Sequence, residues 1–270
     1  MTLTTRRLRL TSAEIAYLAA LAEAPVVVGV PDPFAGALPE EISGQLDAAR
    51  AALLERQVIE ASASGPPTAS LAWAEMLAPV FAPEAVAVIH RWTAAHGSST
   101  GVLYLTQGRA VEQSVEEGAV ALVELEPDQA ADRAVGLIGL VGLLDLPEER
   151  PGAGSPGTLP IQALHRAAAL ARQSGPDQAL AVLAAQGLAP ETAAPLAETL
   201  ARPQSSWTVR LYRAAGAGWE ARSVGLAHGP GGLFSLRESD SGTVTVDPQP
   251  QGAVVEMLEG FVAEALAAHR

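Results

Sequence analysis

The sequence predicts an α+β protein built as two pseudo-twofold-related halves, each with helices, an antiparallel β-meander and a closing C-terminal helix. Three observations predict it. The helical spacing of apolar residues before Pro79 gives way after Pro83 to a period of two, the mark of strands. The same succession of segments returns in residues 159–270. Corresponding residues also keep a steady separation: Gln57 and Gln186 lie 129 apart, whereas Glu75 and Glu198, and Pro127 and Pro250, lie 123 apart. One net length change between helices accounts for the difference, and an internal duplication is the expected origin.

Arg6 to Leu10 reads as a short first strand. Thr11 followed by Glu14 forms a capping box, in which hydroxyl and carboxylate each satisfy a free backbone N–H, and Ile15, Leu18, Ala19 and Ala22 continue at helical spacing over 12–23. Val26-Val27-Val28 is β-branched but fenced by Pro25, Pro31 and Pro33. From Pro39 to Val58 the spacing of Ile42, Leu46, Ala49 and Leu53 marks an amphipathic helix with Pro in its first turn. Residues 62–68 form a turn and 69–77 a helix. Val86, Val88, His90 and Trp92 then alternate with Ala85, Ala87, Ile89 and Arg91. With a turn at 94–100 and strands at 102–107, 110–114 and 119–125, they complete a meander. An apolar helix follows over 128–144, where Gly136, Gly139 and Gly142 imply close backbone packing.

The first half is expected at residues 1–145 and the second at 159–270. Between them, 146–158 is rich in Pro and Gly and reads as a linker. In the second half helices are expected at 160–173, 177–186 and 191–201, strands at 206–213, 218–226, 232–237 and 242–247, and a last helix at 251–268. The two sheets are expected side by side or back to back.

The chain has 270 residues, 49% of them hydrophobic, ample for a real core. It has no Cys, which excludes disulfides, thiolate catalysis and Cys-ligated metals. The formal charge of −13 disfavours binding to phosphate backbones, and Arg6, Arg7 and Arg9 form too short a cluster to reverse that. The opening residues lack the apolar core of a signal peptide, and the apolar run 134–144 falls short of the roughly 20 residues needed to cross a bilayer. A cytoplasmic protein with no nucleic-acid or membrane partner is expected.

Chemistry is weakly encoded. Gly97-Ser98-Ser99-Thr100-Gly101 matches G-x-S-x-G, but hydrolase chemistry needs a strand–turn–helix elbow and this Ser lies between two strands. Gly152-Ala153-Gly154-Ser155-Pro156-Gly157 matches G-x-G-x-x-G without the preceding strand that a dinucleotide site requires. His90, His96, His165, His228 and His269 are scattered, and none shows zinc-ligand spacing. His90 reads as a packed or half-buried sheet residue, not a ligand or base. Glu116-Glu117 and Glu148-Glu149 read as solvated loops. No catalytic residue, cofactor or metal is expected. Among the four Trp, most are expected in the core, with one or two exposed as anchors for a partner.

Leu10-Thr11-Ser12-Ala13-Glu14-Ile15, opening a helix, is similar to the corresponding stretch of the EspG family. Leu53-Leu54-Glu55-Arg56-Gln57-Val58-Ile59 and Ala185-Gln186-Gly187-Leu188 resemble its helix ending L-x-x-R-G-L. Ala197-Glu198-Thr199-Leu200-Ala201-Arg202-Pro203 resembles its L-x-x-L-A-x-P. The chain departs at Gln57 and Val58, where Gly and Leu are usual, and its short strand connections put the family's client-gripping loop in doubt. The resemblance implies a pseudo-twofold α+β fold and a cytoplasmic chaperone of type VII secretion that shields a helical PE–PPE-like client before export. By analogy the contact surface falls on the first meander, at Arg91, Trp92, Leu103 and Tyr104. The alternative is a duplicated scaffold or regulatory module that self-associates, as a homodimer, without a secretion role.

Overall fold

In the computed structural model, which describes residues 6–24, 27–106, 108–116, 118–126, 129–138, 154–216 and 218–267, Thr11 begins the first helix as its spacing to Glu14 predicts. The Glu14 N–H donates to the Thr11 hydroxyl at 3.1 Å, and the Thr11 N–H donates to the Glu14 carboxylate at 2.7 Å. Helix α1 (Ser12–Leu21) thus starts with two of its orphan donors satisfied. Glu14 is buried, and Arg56, at the end of α2 (Pro39–Glu55), reaches it at 2.9 Å. The same guanidinium donates to the carbonyl of Arg9 in β1 (Arg7–Leu10), tying three elements together.

Helix α2 and its counterpart α6 (Pro176–Ala185) end alike. The Val58 N–H donates to the Leu53 carbonyl and the Leu188 N–H to that of Leu183; inside these bonds Gln57 N–H reaches Leu54 and Gly187 N–H reaches Ala184. This is a Schellman ending, which needs a left-handed residue. Gly187 fills that position at φ 83°, and Gln57 fills it at φ 56°. The conformational partner of Gln57 is therefore Gly187, one residue beyond the Gln186 that identity alone suggests. Helices α3 (Leu71–Phe81) and α7 (Pro190–Ala201) also match: each carries an internal proline, and their C-caps have φ/ψ of −136°/62° and −135°/64°.

The strands form one ten-stranded antiparallel sheet. Its first half holds β1, β4 (Ala85–Thr93), β5 (Gly97–Thr106), β6 (Arg109–Glu116) and β7 (Ala119–Leu125). The second holds β8 (Gly157–Pro160), β9 (Ser205–Ala215), β10 (Gly218–Gly229), β11 (Gly232–Glu238) and β12 (Thr243–Pro248). The order β1-β7-β6-β5-β4-β9-β10-β11-β12-β8 presents the same connectivity read from either edge. The halves lie side by side, fused by antiparallel pairing of β4 with β9 from Ala85↔Arg213 to Thr93↔Ser205. Ala94 N–H donates to the Gln204 carbonyl at 2.9 Å and Ala214 N–H to that of Glu84 at 2.8 Å, a pair of bonds related by the same local twofold. A separate small hairpin, β2 (Ile59–Glu60) with β3 (Thr68–Ala69), precedes α3.

Alternation sends each strand's side chains to two faces. One face carries Ala87, Ile89, Leu103, Val209 and Leu226, covered by α4 (Gln129–Ile138) and α8 (Gln251–Ala267). The other is covered in two separate blocks. In the first half α1, α2 and α3 lie over Val86, Val88, Tyr104 and Val111. In the second, α5 (Ile161–Ser174), α6 and α7 lie over Phe234, Val244 and Val246.

Three expectations change. Residues 97–100 lie in strand β5, because Thr93 pairs with Gly97 and the turn is shorter than its small residues suggest. Residues 157–160 form an edge strand on β12, so the second half starts inside the stretch expected as linker and its first helix begins at Ile161. Gly136 has open space where a Cβ would stand, so close packing does not explain it, and Gly139 and Gly142 lie outside the described residues.

Replacing Gln57 with Gly should stabilise the fold by about 0.5–1 kcal/mol by relieving a left-handed side chain, read as a raised urea midpoint at unchanged slope. Gly231→Ala should do the opposite, because its Cβ would stand 1.8 Å from the Pro195 carbonyl oxygen and force the β10–β11 turn off α7. Glu112 is buried beneath α4 and accepts from Arg133 at 2.5 and 3.0 Å. Arg133→Ala should cost about 2–3 kcal/mol, below the full value for an orphaned buried charge because Arg133 is half in solvent.

Candidate functional site

Between the two helix blocks the middle of the sheet is bare. The positions on that face are His90 and Trp92 of β4, Ser98 and Thr100 of β5, Ser206, Thr208 and Arg210 of β9, and Ala221 and Ser223 of β10. A strand at the centre of a sheet covered on both sides would be apolar throughout. Here one face of β9 is polar from Ser206 to Arg210, and only beyond it does Tyr212 pack against the first-half core. His90, Trp92, Arg210 and Ser223 are all exposed.

The result is a groove of about 720 Å³. Its floor is β9 and β10, with Ser206, Thr208, Arg210, Ser223 and Gly225. One wall is α5, which presents Ile161, Leu164, His165, Ala168 and Arg172 at helical spacing, joined by Thr199 and Leu200 of α7. Trp92, directly opposite Ser206, stands in the groove with 36% of its surface exposed. Indole, leucine and guanidinium around a hydroxyl-lined floor suit a protein segment that is part apolar and part charged.

Of the four residues predicted for contact, the structure brings one into this groove. Trp92 lines it. Arg91 points to the opposite face, across from Trp207, and its Nε is buried without a hydrogen-bond partner. Leu103 and Tyr104 are both 0% exposed, in the clusters on opposite faces. The Tyr104 hydroxyl lies against the Val28 carbonyl and 2.8 Å from Gln113 Oε1, and burial pushes its pKa up. Neither can touch a partner without opening the sheet. The correction is one of strand position: both occupy the apolar part of β5, whereas its accessible part is Ser98 to Thr100. His90 is exposed rather than packed, with its Nδ1 2.9 Å from Thr100 Oγ1. Among the Trp, Trp207 is buried, Trp73 of α3 packs partly buried against the first-half core, and Trp219 is 52% exposed at the β9–β10 turn.

Arg210, Arg172 and Ser223 were missed. The polar run Ser206, Thr208, Arg210 at alternate positions of a central strand was the available signal. Ser99 of the G-x-S-x-G match sits in a regular strand, away from any elbow. Among the described residues no group of three or more His, Asp or Glu is placed to hold a metal ion. No helix among them is long and apolar enough to cross a membrane.

No family model matches the sequence, and no curated protein matches it. Solved structures do match. EspG5, the type VII secretion system chaperone of Mycobacterium tuberculosis, determined in complex with a PE25–PPE41 dimer, aligns at a TM-score of 0.66 over 98% of each chain with 14% identity. The chain is similar in fold to EspG5 from end to end. HtdX of the same organism overlaps at a TM-score of 0.14, which carries no argument. The α+β class and the EspG resemblance inferred from short motifs agree with this likeness.

His228, at the end of β10 with Nδ1 3.5 Å from Ser205 Oγ, has its pKa lowered by burial. The folded chain favours neutral imidazole, so its contribution is present above the ordinary histidine pKa of about 6.5 and is lost as pH falls below it. Urea midpoints measured from pH 7.5 to 5 should decline less for His228→Gln than for the unaltered chain.

Proposed function

We propose that this chain is a non-enzymatic, cytoplasmic binding protein of the secretion-chaperone kind, which seats a helical PE–PPE-like client in the groove at the centre of its sheet. The observation that carries this reading is the bare strip beside Trp92, left between a helix block over Val86, Val88, Tyr104 and Val111 and another over Phe234, Val244 and Val246. The strip sets the apolar side chains of Trp92, Ile161 and Leu200 around a polar floor, and apolar surface rimmed by polar residues serves partners. A client in this place would leave its own apolar tip shielded from self-association. The end-to-end likeness to a chaperone that itself holds a PE25–PPE41 dimer supports the same partner class.

Co-expression with PE–PPE pairs from the same genome, followed by size-exclusion chromatography, tests it. A one-to-one complex with at least one pair is expected, along with suppression of that pair's light scattering on heating. Ser223→Trp fills the floor of the groove at an exposed position, so it should weaken the complex by about tenfold or more at unchanged Tm. A chain that binds no such pair, or instead elutes as a dimer with the groove buried, defeats the proposal.

A further inference from the structure

The groove carries charge opposite to that of the body around it. The chain bears −13 overall, and several of its arginines are matched to carboxylates: Arg56 to Glu14, Arg109 to Glu75 and Glu124, Arg133 to Glu112, Arg213 to Glu220. Among the described residues Arg172 and Arg210 are not, which they share with Arg50, Arg91 and Arg166, but these two alone of the unmatched set face the groove. Both line the groove, both are exposed, and among the described residues neither forms an ion pair. Arg172 donates only to the carbonyl of its own Ala168, at 3.1 Å. Arg210 is flanked across its strand by Val88 and Ser223, side chains too short to reach over it. Against these two guanidiniums the groove sets one carboxylate, Glu238 of β11.

Two unmatched guanidiniums on an acidic protein act at short range, since salt screens charge beyond about 8–10 Å. They therefore do little to attract an acidic body from afar and much to discriminate at contact. An incoming guanidinium or ammonium would be repelled there, whereas a carboxylate would gain charge-assisted, fork-like hydrogen bonds. Trp92, Ile161 and Leu200 supply apolar surface for the neighbouring positions of the same segment.

We propose that the groove reads a carboxylate: its occupant is a helical tip with apolar residues on Trp92, Ile161 and Leu200 and an Asp or Glu between Arg210 and Arg172. The proposal rests on the reading of the groove as a client seat and adds the chemistry that selects the client.

The probe is a display library of two-helix hairpins with randomised tips, panned on the immobilised full chain. Selected tips should be enriched in Asp or Glu, and should lose binding to Trp92→Ala and Ser223→Trp. Arg210→Glu should weaken the best acidic tip by about tenfold or more, and changing that tip's acid to Lys should restore binding to the Arg210→Glu chain. Equal Tm for the Arg210→Glu and unaltered chains would show that the exposed substitution leaves the fold alone. Tips that require Trp92 yet show no acidic enrichment and bind Arg210→Glu equally overturn the charge reading while leaving the seat standing. A library yielding no binder sensitive to Trp92→Ala or Ser223→Trp sinks both.

Discussion

The pairing of β4 with β9 is the constraint on which the rest of the structure depends. It joins two five-stranded meanders into one sheet, with Ile89 opposite Val209 at its centre. Each backbone hydrogen bond along the seam is worth only about 0.5–1.5 kcal/mol net. The larger effect is geometric. Antiparallel pairing at this register places Ala85, Ala87 and Ile89 beside Trp207, Val209 and Leu211 on one face, and α4 and α8 cover both sets together. Neither half buries that face alone, so the halves stabilise each other.

The same seam produces the groove. Helices α1 to α3 and α5 to α7 are each anchored to their own meander, through β1 at one edge and β8 at the other. Two blocks fixed near opposite margins of a ten-stranded sheet leave its middle uncovered. The residues there are those that tolerate water: Ser206, Thr208, Arg210, Ser223. A protein that uses its central strands for contact keeps its floor rigid, because neighbouring strands hold both sides.

Much of the architecture was legible in the sequence because it is written in local patterns. Thr11 and Glu14 announce a helix start through two hydrogen bonds that involve nothing else, and alternation from Ala85 onward announces a strand with both faces engaged. Long-range facts were less legible. Alternation says that Leu103 and Tyr104 lie on opposite faces of β5, but not that helices bury both. Burial depends on α1, α2 and α3 on one side and α4 and α8 on the other. The groove was missed for the same reason: Arg210 and Arg172 lie on different elements, and only folding puts them in one place. Trp92 was named by analogy with the EspG contact surface, and it lines the groove because it alternates with Arg91 on β4. The offset between halves was readable to within a residue at the ends of α2 and α6, where Gln57 matches Gly187, but not at the ends of α3 and α7: the matching caps Ala82 and Arg202 lie 120 apart, three fewer than Glu75 and Glu198.

The margins of the sheet have a consequence of their own. A broad antiparallel sheet invites further chains to extend it sideways. Here each margin is a strand of only four residues, β1 with arginines at alternate positions and β8 closed by Pro160. Short, charged or proline-stopped borders template poorly, so growth into fibrils is blocked at both ends. Such a molecule can be concentrated without becoming a seed itself.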